Sequence, residues 1–295
     1  MAQNHSPQKI TPNLWFDQQA EEAVTFYTSV FKDASIRHIS RYGKEGFDIH
    51  GMPEGTVLTV DFQLAGHNFV ALNGGPNFRL NPSISFYVTC ETEAETNEVW
   101  NRLADGGEVL MPIDKYDWSE LYGWLQDRYG VSWQISLGKL EDVGFTFCPS
   151  LLFTGRQFGR AEEAVHFYTS VFKPSGITGI MKNPADGSVI HAQFNLHGQT
   201  FMVMDSSLEH NFEFNEAVSH IIHCDNQNEV DYYWEKLSEG GELQQCGWLK
   251  DKFGVSWQVV PRVLNELLKD KSKAPRVMDA LLKMVKLDIA KLQEA

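Results

Sequence analysis

Long apolar runs are missing from this chain. The runs present are as short as Val57–Val60, far below the ~18–20 residues that a bilayer-crossing helix needs, and Met1–Lys9 holds no apolar leader core. Positive charge is scarce as well. Against 39 Asp and Glu there are 25 Lys and Arg, a formal net charge of −14, which argues against wrapping nucleic acid or coating an anionic membrane. Cysteine is sparse and unpaired in sequence: Cys90, Cys148, Cys224 and Cys246 form no C-x-x-C pair and read as reduced thiols, not a disulfide frame. What is present, 42% hydrophobic and 22% charged residues, is enough to build packed cores. The expectation is a soluble, cytoplasmic protein with no nucleic-acid or membrane partner.

An internal repeat organises the rest. Ala20-Glu-Glu-Ala-Val-Thr-Phe-Tyr-Thr-Ser-Val-Phe31 recurs as Ala161-Glu-Glu-Ala-Val-His-Phe-Tyr-Thr-Ser-Val-Phe172, and Gly130-Val-Ser-Trp-Gln134 as Gly254-Val-Ser-Trp-Gln258. Between them, Cys90 matches Cys224, Trp100 matches Trp234, and Gly106-Gly107 matches Gly240-Gly241. The spacing shrinks along the chain, as it does when loops drift around a common frame. The repeat is too long for a solenoid and implies two homologous domains, 8–139 and 145–261, followed by a tail, 262–295.

Within each copy, Ile10–Phe16 reads as a strand and Ala20–Phe31 as an amphipathic helix with Ala23, Phe26, Tyr27 and Val30 on one face. Strands follow at Ser35–Arg41, Thr56–Leu64 and His67–Asn73. The scheme restarts with strand Ser83–Cys90 and helix Glu93–Ala104, then strands Val109–Met111, Gly123–Asp127 and Val131–Leu137. Each copy is therefore βαβββ twice. Val277, Leu281, Val285, Ile289 and Leu292 form a helical stripe, predicting a C-terminal helix packed across one or both domains. Pro112–Leu121, absent from copy two, reads as a long rim loop of undetermined role, a candidate lid or partner contact.

Ile10-Thr-Pro-Asn-Leu-Trp-Phe16, Phe69-Val-Ala-Leu-Asn-Gly-Gly-Pro76, Gln245-Cys-Gly-Trp-Leu-Lys-Asp-Lys-Phe-Gly-Val-Ser-Trp-Gln-Val-Val-Pro261 and the tail Pro275-Arg-Val-Met-Asp-Ala-Leu-Leu-Lys-Met284 closely resemble the PhnB-like family. That family is often labelled 3-demethylubiquinone-9 3-methyltransferase and sits within the vicinal oxygen chelate (glyoxalase/bleomycin-resistance) superfamily. The resemblance spans about 9–137 and 147–292. It implies an α+β fold of two tandem glyoxalase-like domains. Each would be a pair of βαβββ modules whose mixed sheet curls into a cup, with a C-terminal helix added. A tandem copy would replace a homodimer by an intramolecular pseudo-dimer, with further homodimer formation left open. No Gly-rich strand-to-helix loop followed by an acidic residue is present, as a Rossmann-type S-adenosylmethionine site would require.

Strand parity locates the cups independently, because residues i and i+2 share a face. In copy one the polar parity holds Thr11, Asn13 and Trp15, then Thr59, Asp61 and Gln63, then Ser85, and Ser132, Gln134 and Ser136; alignment adds Phe69, Ala71 and Asn73. In copy two it holds Cys148, Ser150 and Leu152, then His191, Gln193 and Asn195, then Val203 and Asp205, then Ser219 and His223, and Ser256 and Gln258. Trp118, Trp124 and Trp248 stand at the rims. Polar floors with aromatic rims suit a small polar organic ligand.

The resemblance also implies metal positions near the starts of the first and fifth strands and on the fourth and eighth. Thr11, Asn73, Ser85 and Gln134 occupy them in copy one, and Cys148, Asp205, Ser219 and Gln258 in copy two. Such sets lack the three or four imidazole, carboxylate or thiolate donors a divalent metal needs, so no cofactor is expected. The exception to test is a divalent metal in the second cup on His191, Asp205 and His223. Two functions stand open: a metal-free binding module, or a small-molecule enzyme. The enzyme would be a glyoxalase-type lyase or isomerase with metal in the second cup, or a transferase as the family label suggests; His191 is the candidate general base, with Asp205 to orient it. Convergence of His191, Asp205 and His223 would favour the enzyme.

Overall fold

The computed structural model describes residues 8–295; Met1–Pro7, most of the stretch read as leaderless, lies outside the described residues. Copy one runs β1 (Ile10–Phe16), α1 (Ala20–Val30), β2 (Ser35–Arg41), the single turn α2 (Phe47–His50), β3 (Val57–Leu64) and β4 (His67–Asn73). It continues with β5 (Ile84–Cys90), α3 (Glu93–Ala104), β6 (Glu108–Tyr116), β7 (Ser119–Gln126) and β8 (Ser132–Leu137). After the turn α4 (Leu140–Val143), copy two repeats the order: β9 (Phe147–Phe153), α5 (Ala161–Val171), β10 (Ser175–Lys182), β11 (Val189–Leu196) and β12 (Gln199–Asp205). Its second module is β13 (Val218–Cys224), α6 (Gln227–Ser238), β14 (Glu242–Leu243), β15 (Trp248–Lys250) and β16 (Ser256–Pro261). Three short helices follow, α7 (Val263–Lys269), α8 (Ala274–Leu282) and α9 (Ile289–Glu294). None of the helices is long and apolar enough to cross a membrane.

The four modules pair across the copies. One eight-stranded sheet has the order β14-β15-β16-β13-β1-β4-β3-β2, the other β10-β11-β12-β9-β5-β8-β7-β6. The joints are two antiparallel ladders, β1 on β13 (Asn13 opposite Ser219) and β5 on β9 (Ser85 opposite Ser150). Exchanging the two copies turns one order into the other, so the topology has a pseudo-two-fold. Two curved mixed sheets built from four βαβββ modules are present as expected. The correction is to their ownership. Each sheet takes its first half from one copy and its second half from the other, because the antiparallel edges of β1 and β5 are met by β13 and β9.

The hydrophobic core is one cluster through both copies, in which each first helix packs on the last strand of its own copy and Phe147 of β9 joins Phe31, Phe69 and Trp133. In copy one Tyr27 of α1 and Phe31 just after it pack on Trp133 of β8, and Phe69 of β4 meets Phe86 of β5 edge-on at 5.4 Å. In copy two Tyr168 of α5 and Phe172 just after it pack on Trp257 of β16. Helices α3 and α6 start at capping side chains, Thr92 accepting from the Glu95 amide and Asn226 from that of Glu229. Helices α1 and α5 have no such local cap; theirs comes from the last residues of β4 and β12.

Two tail and loop expectations change. The predicted single C-terminal helix is three, with a break between Leu282 and Ile289 that leaves Val285 38% exposed. In that break the Met284 and Val285 carbonyls accept from the amides of Cys246 and Gly247 (2.7 and 2.8 Å), both residues having positive φ. Bonds to the β15 turn thus replace helical ones. The Pro112–Leu121 loop is instead the end of a long β6–β7 hairpin, in which Tyr116 faces Ser119 and the rings of Tyr116 and Trp118 stack at 5.0 Å.

His220 of β13 takes the core position that Phe86 holds in copy one. It is fully buried between Phe201 and Trp257 (5.5 and 5.2 Å), with no partner for either ring nitrogen. Burial holds its pKa down at about 3. The unfolded chain, with a His pKa of about 6.5, therefore takes up this proton first, and stability is lost as pH falls below that value, down to the folded pKa. His220→Phe should raise the urea midpoint at pH 7, by the roughly 1–3 kcal/mol that an unsatisfied buried group costs. It should also remove about 2 kcal/mol of the loss between pH 7 and pH 5. Parallel urea titrations at the two pH values check both effects.

Candidate functional site

Cup A lies on the face of the β1–β13 sheet opposite the helices. On β1, Ile10, Leu14 and Phe16 enter the core, so Thr11, Asn13 and Trp15 face the cup. The same parity brings in Thr59 and Asp61 of β3, Ser219 and His223 of β13, and Gln258 of β16. Cup B, on the β5–β9 sheet, receives Ser85 and Gln134 from copy one and Ser150, His191 and Gln193 from copy two. The two expected groupings, one per copy, are thus redistributed: Thr11 shares its cup with Ser219 and Gln258, and Ser85 and Gln134 share theirs with Cys148.

Asn73 and Asp205 are in neither cup. Asn13 pairs with Val70, so Val70 and Leu72 face cup A, while Phe69 and Ala71 are core; Phe201 and Val203 are core likewise. The Asn73 carbonyl oxygen accepts from the Ala20 amide at 2.8 Å and its amide donates to the Val57 carbonyl. Asp205 accepts from the amides of Gly159, Ala161 and Val189. Both are remote caps for α1 and α5. Alternation misleads here because β4 and β12 are apolar on both faces, as central strands are.

His191, Asp205 and His223 do not converge. His191 is on cup B, His223 on cup A, and Asp205 on a helix-side face where it cannot orient His191. Among the described residues no three His, Cys, Asp or Glu side chains group to hold a metal. Burial holds His191 below its ordinary pKa, and burial with Arg262 and Lys9 nearby takes His223 to about 4, leaving it neutral; its Nε2 lies 2.9 Å from the Thr11 hydroxyl. Cys148 is fully buried and burial raises its thiol pKa. The residues at the positions that metal-dependent relatives use do not fit a divalent ion.

The repeated Gly-Val-Ser-Trp-Gln motif divides between fold and site. Ahead of it stands an aspartate that sequence reasoning passed over, although Asp127-Arg-Tyr-Gly and Asp251-Lys-Phe-Gly repeat too. Asp251 accepts from the Phe253 and Val255 amides, the Trp257 indole (2.9 Å) and the Tyr168 hydroxyl (2.7 Å). Asp127 binds the Tyr129 and Val131 amides and the Trp133 indole in the same way. Burial still raises Asp251 to about 6. Gly130 and Gly254 turn the chain at φ 91° and 89°. All of this is structural.

The glutamines differ. Gln134 has a partner at both ends: its carbonyl accepts from Tyr122 at 2.8 Å and its amide donates to Ser85 at 2.7 Å. Gln258 donates to Ser219 at 3.0 Å, and no protein group among the described residues donates to its carbonyl. The residue corresponding to Tyr122 on the strand edge is Cys246. Surroundings differ in the same sense. Cup B is filled by its own side chains, Tyr87 and Tyr122 meeting at 6.2 Å and Phe145, Cys148 and Met202 forming a buried cluster beside Tyr87. In cup A, Trp15 and Trp248 meet edge-on at 6.0 Å beside a floor of Asn13, Ser219, Ser256 and Gln258. Ser256 is fully buried with no hydrogen-bond partner. Ser150 and Thr89 in cup B bury orphan hydroxyls too, but beneath an aromatic plug. Lys250, which parity with Trp248 could have revealed, faces cup A and pairs with Glu216 and Glu242.

A cleft of about 580 Å³ opens between the ends of β1 and β7, with Phe78, Arg79 and Arg128 in its walls and Trp15 shared with cup A.

The tail covers cup A. Val260, on the cup face of β16, packs into the cluster of Leu264, Val277, Leu287 and Leu292. Met284 and Val285 bond to the β15 turn, and Leu282 rests against Gly46 in the β2–β3 connection. The segment thus reaches both edges of the sheet.

Comparison with known proteins agrees with this architecture. The family described as 3-demethylubiquinone-9 3-methyltransferase matches residues 8–136 and again 146–260. The PhnB protein of Bacillus cereus is 46% identical over 44% of this chain and 100% of its own, with a TM-score of 0.41. Glyoxalase I of Zea mays is 10% identical over 88% of this chain and 95% of its own, with a TM-score of 0.56, a likeness of fold alone. No curated protein matches. With the family matched once in each copy and its strings carried through both, the chain belongs to the PhnB-like 3-demethylubiquinone-9 3-methyltransferase family as a tandem duplication.

Proposed function

We propose that this protein binds a small polar organic molecule in cup A without a metal, and that cup B is its filled structural counterpart. The observation that carries the reading is the contrast between the two glutamines. The Gln258 carbonyl has no protein donor among the described residues and is not enclosed, so it is open to one from outside; beside it the Ser256 hydroxyl is enclosed without a partner, which costs free energy unless something pairs with it. The aromatic pair Trp15–Trp248 gives that ligand an apolar wall, and the neutral His223 and Thr11 close the end of the floor. An enzymatic reading through His191, Asp205 and His223 has no support from their separated positions.

Native mass spectrometry of freshly purified protein should reveal a small molecule that co-purifies and is absent from Gln258→Leu. That variant should lose little stability, because Ser219 still receives the Asn13 amide at 3.2 Å. Gln134→Leu should leave the co-purified molecule in place and melt several degrees lower, since it strands both Tyr122 and Ser85 at a cost of roughly 1–3 kcal/mol. The opposite pattern, with Gln258→Leu melting early and keeping the ligand, would make Gln258 structural. Elemental analysis of untagged protein should find well under one equivalent of zinc, nickel, manganese or iron; stoichiometric metal lost in His191→Ala would overturn the metal-free reading.

A further inference from the structure

Asp61 is the feature of cup A that the floor does not use. It stands on β3 opposite Val70, which pairs with Asn13, then Ser219, then Ser256 on successive strands. It is half-buried, and among the described residues it has neither an ion-pair nor a hydrogen-bond partner. Burial raises its pKa, and the charges that oppose this come from His38, its neighbour on β2, and from Lys269, the last residue of α7. The internal duplication supplies a control. In cup B the same ladder position, opposite Met202 and then Ser150, is Gln193. An unpaired carboxylate in a half-buried position is costly, and copy two shows that a neutral amide fits the same place. A second, independent feature points into the same cup: the fully buried, unpartnered Ser256 hydroxyl. Ser256 lies four strand spacings from Asp61, roughly 19 Å along the sheet at ~4.8 Å per strand and less across its curved mouth.

We propose that cup A takes an elongated organic cation: an ammonium or amidinium group on Asp61, an apolar or aromatic body against Trp15 and Trp248, and a hydrogen-bonding group on Ser256 and Gln258, with Lys269 standing near the cation's place until the ligand enters. This rests on cup A being the ligand site and names the class of molecule that site selects. The lysine comes from the segment that spans the cup, and its exposed side chain competes with the ligand's cation for the same carboxylate.

Three fluorescent probes of matched length test it: dansylcadaverine (a terminal ammonium), N-pentyl dansylamide (neutral) and N-dansyl-6-aminohexanoate (anionic), each titrated into the full chain with tryptophan-to-dansyl energy transfer as readout. The ammonium probe should bind about tenfold tighter than the neutral one, and the anion weakest. Asp61→Asn should bring ammonium and neutral probes within about twofold of each other, while melting no earlier than the parent, since it removes an unpaired carboxylate. Lys269→Ala should tighten the ammonium probe several-fold and leave the neutral one unchanged. Equal affinities for ammonium and neutral probes, sensitive to Gln258→Leu, would overturn the cation and leave the cup standing. An ammonium preference that survives Asp61→Asn would overturn it as well. An unchanged ammonium affinity in Lys269→Ala would remove the lysine. Failure of all three probes to bind the parent and Lys269→Ala would bring down the cup reading itself.

Discussion

Two antiparallel ladders, β1 on β13 and β5 on β9, decide what every other part of this molecule can do. Each joins a strand of copy one to a strand of copy two at the middle of an eight-stranded sheet. Without them β1 and β5 would present open edges, which folded proteins avoid leaving unpaired. A single copy therefore has a core but no complete sheet. Most of its aromatic contacts lie between its own two modules, yet each cup is half foreign. Any ligand held in cup A touches both copies, and so binding and the association of the copies are one equilibrium, not two.

The same constraint explains which parts of the repeated motif are shared. The Asp–turn–Trp arrangement serves the core, and in both copies two turn amides and the Trp indole donate to Asp127 and to Asp251, with Tyr168 adding a fourth donor in copy two. Gln134 and Gln258 look outward from that core into cups whose opposite walls come from the other copy. Their partners need not agree, and do not: Tyr122 closes one and nothing closes the other. Identity of sequence therefore does not fix the role of a cup residue: Gln134 and Gln258 are the same residue and differ in what surrounds them.

Much of the fold was legible because the signals were local. The repeat, the α1 and α3 spans and the polar parity of β1, β8, β13 and β16 all follow from side-chain periodicity over a few residues. Ladder partnership is not local. Ser85 reads the same whether β5 meets a strand of its own copy or β9 of the other, so the residues of each cup were recognised and their company was not. Strands β4 and β12 defeated parity for a different reason. Apolar on both faces, they carry Asn73 and Asp205 at positions that read as cup floor and are helix caps. The tail stripe at Val277–Leu292 had helical periodicity, but the positive-φ amides of Cys246 and Gly247, far away in sequence, take its carbonyls and break it.

The segments that trail each copy complete the contrast between the cups. The connector after β8 carries Val143 and Phe145 into cup B, where Phe145 is buried with Cys148 and Met202. An apolar plug on an apolar wall gains with every buried methylene, and it needs no charge to hold it. The corresponding segment after β16 is longer. It meets cup A through backbone bonds to the β15 turn, an apolar cluster at Val260 and an exposed lysine near Asp61. That cover leaves, among the described residues, Asp61 without an ion-pair partner and the Gln258 carbonyl without a protein donor, where cup B has its aromatic plug. Copy one and copy two between them hold the side chains for a second filled cup: Tyr122 where Cys246 stands, and Gln193 where Asp61 stands. The polar, under-satisfied floor is therefore not forced by the fold. It is the alternative to a packing solution that this same chain already contains.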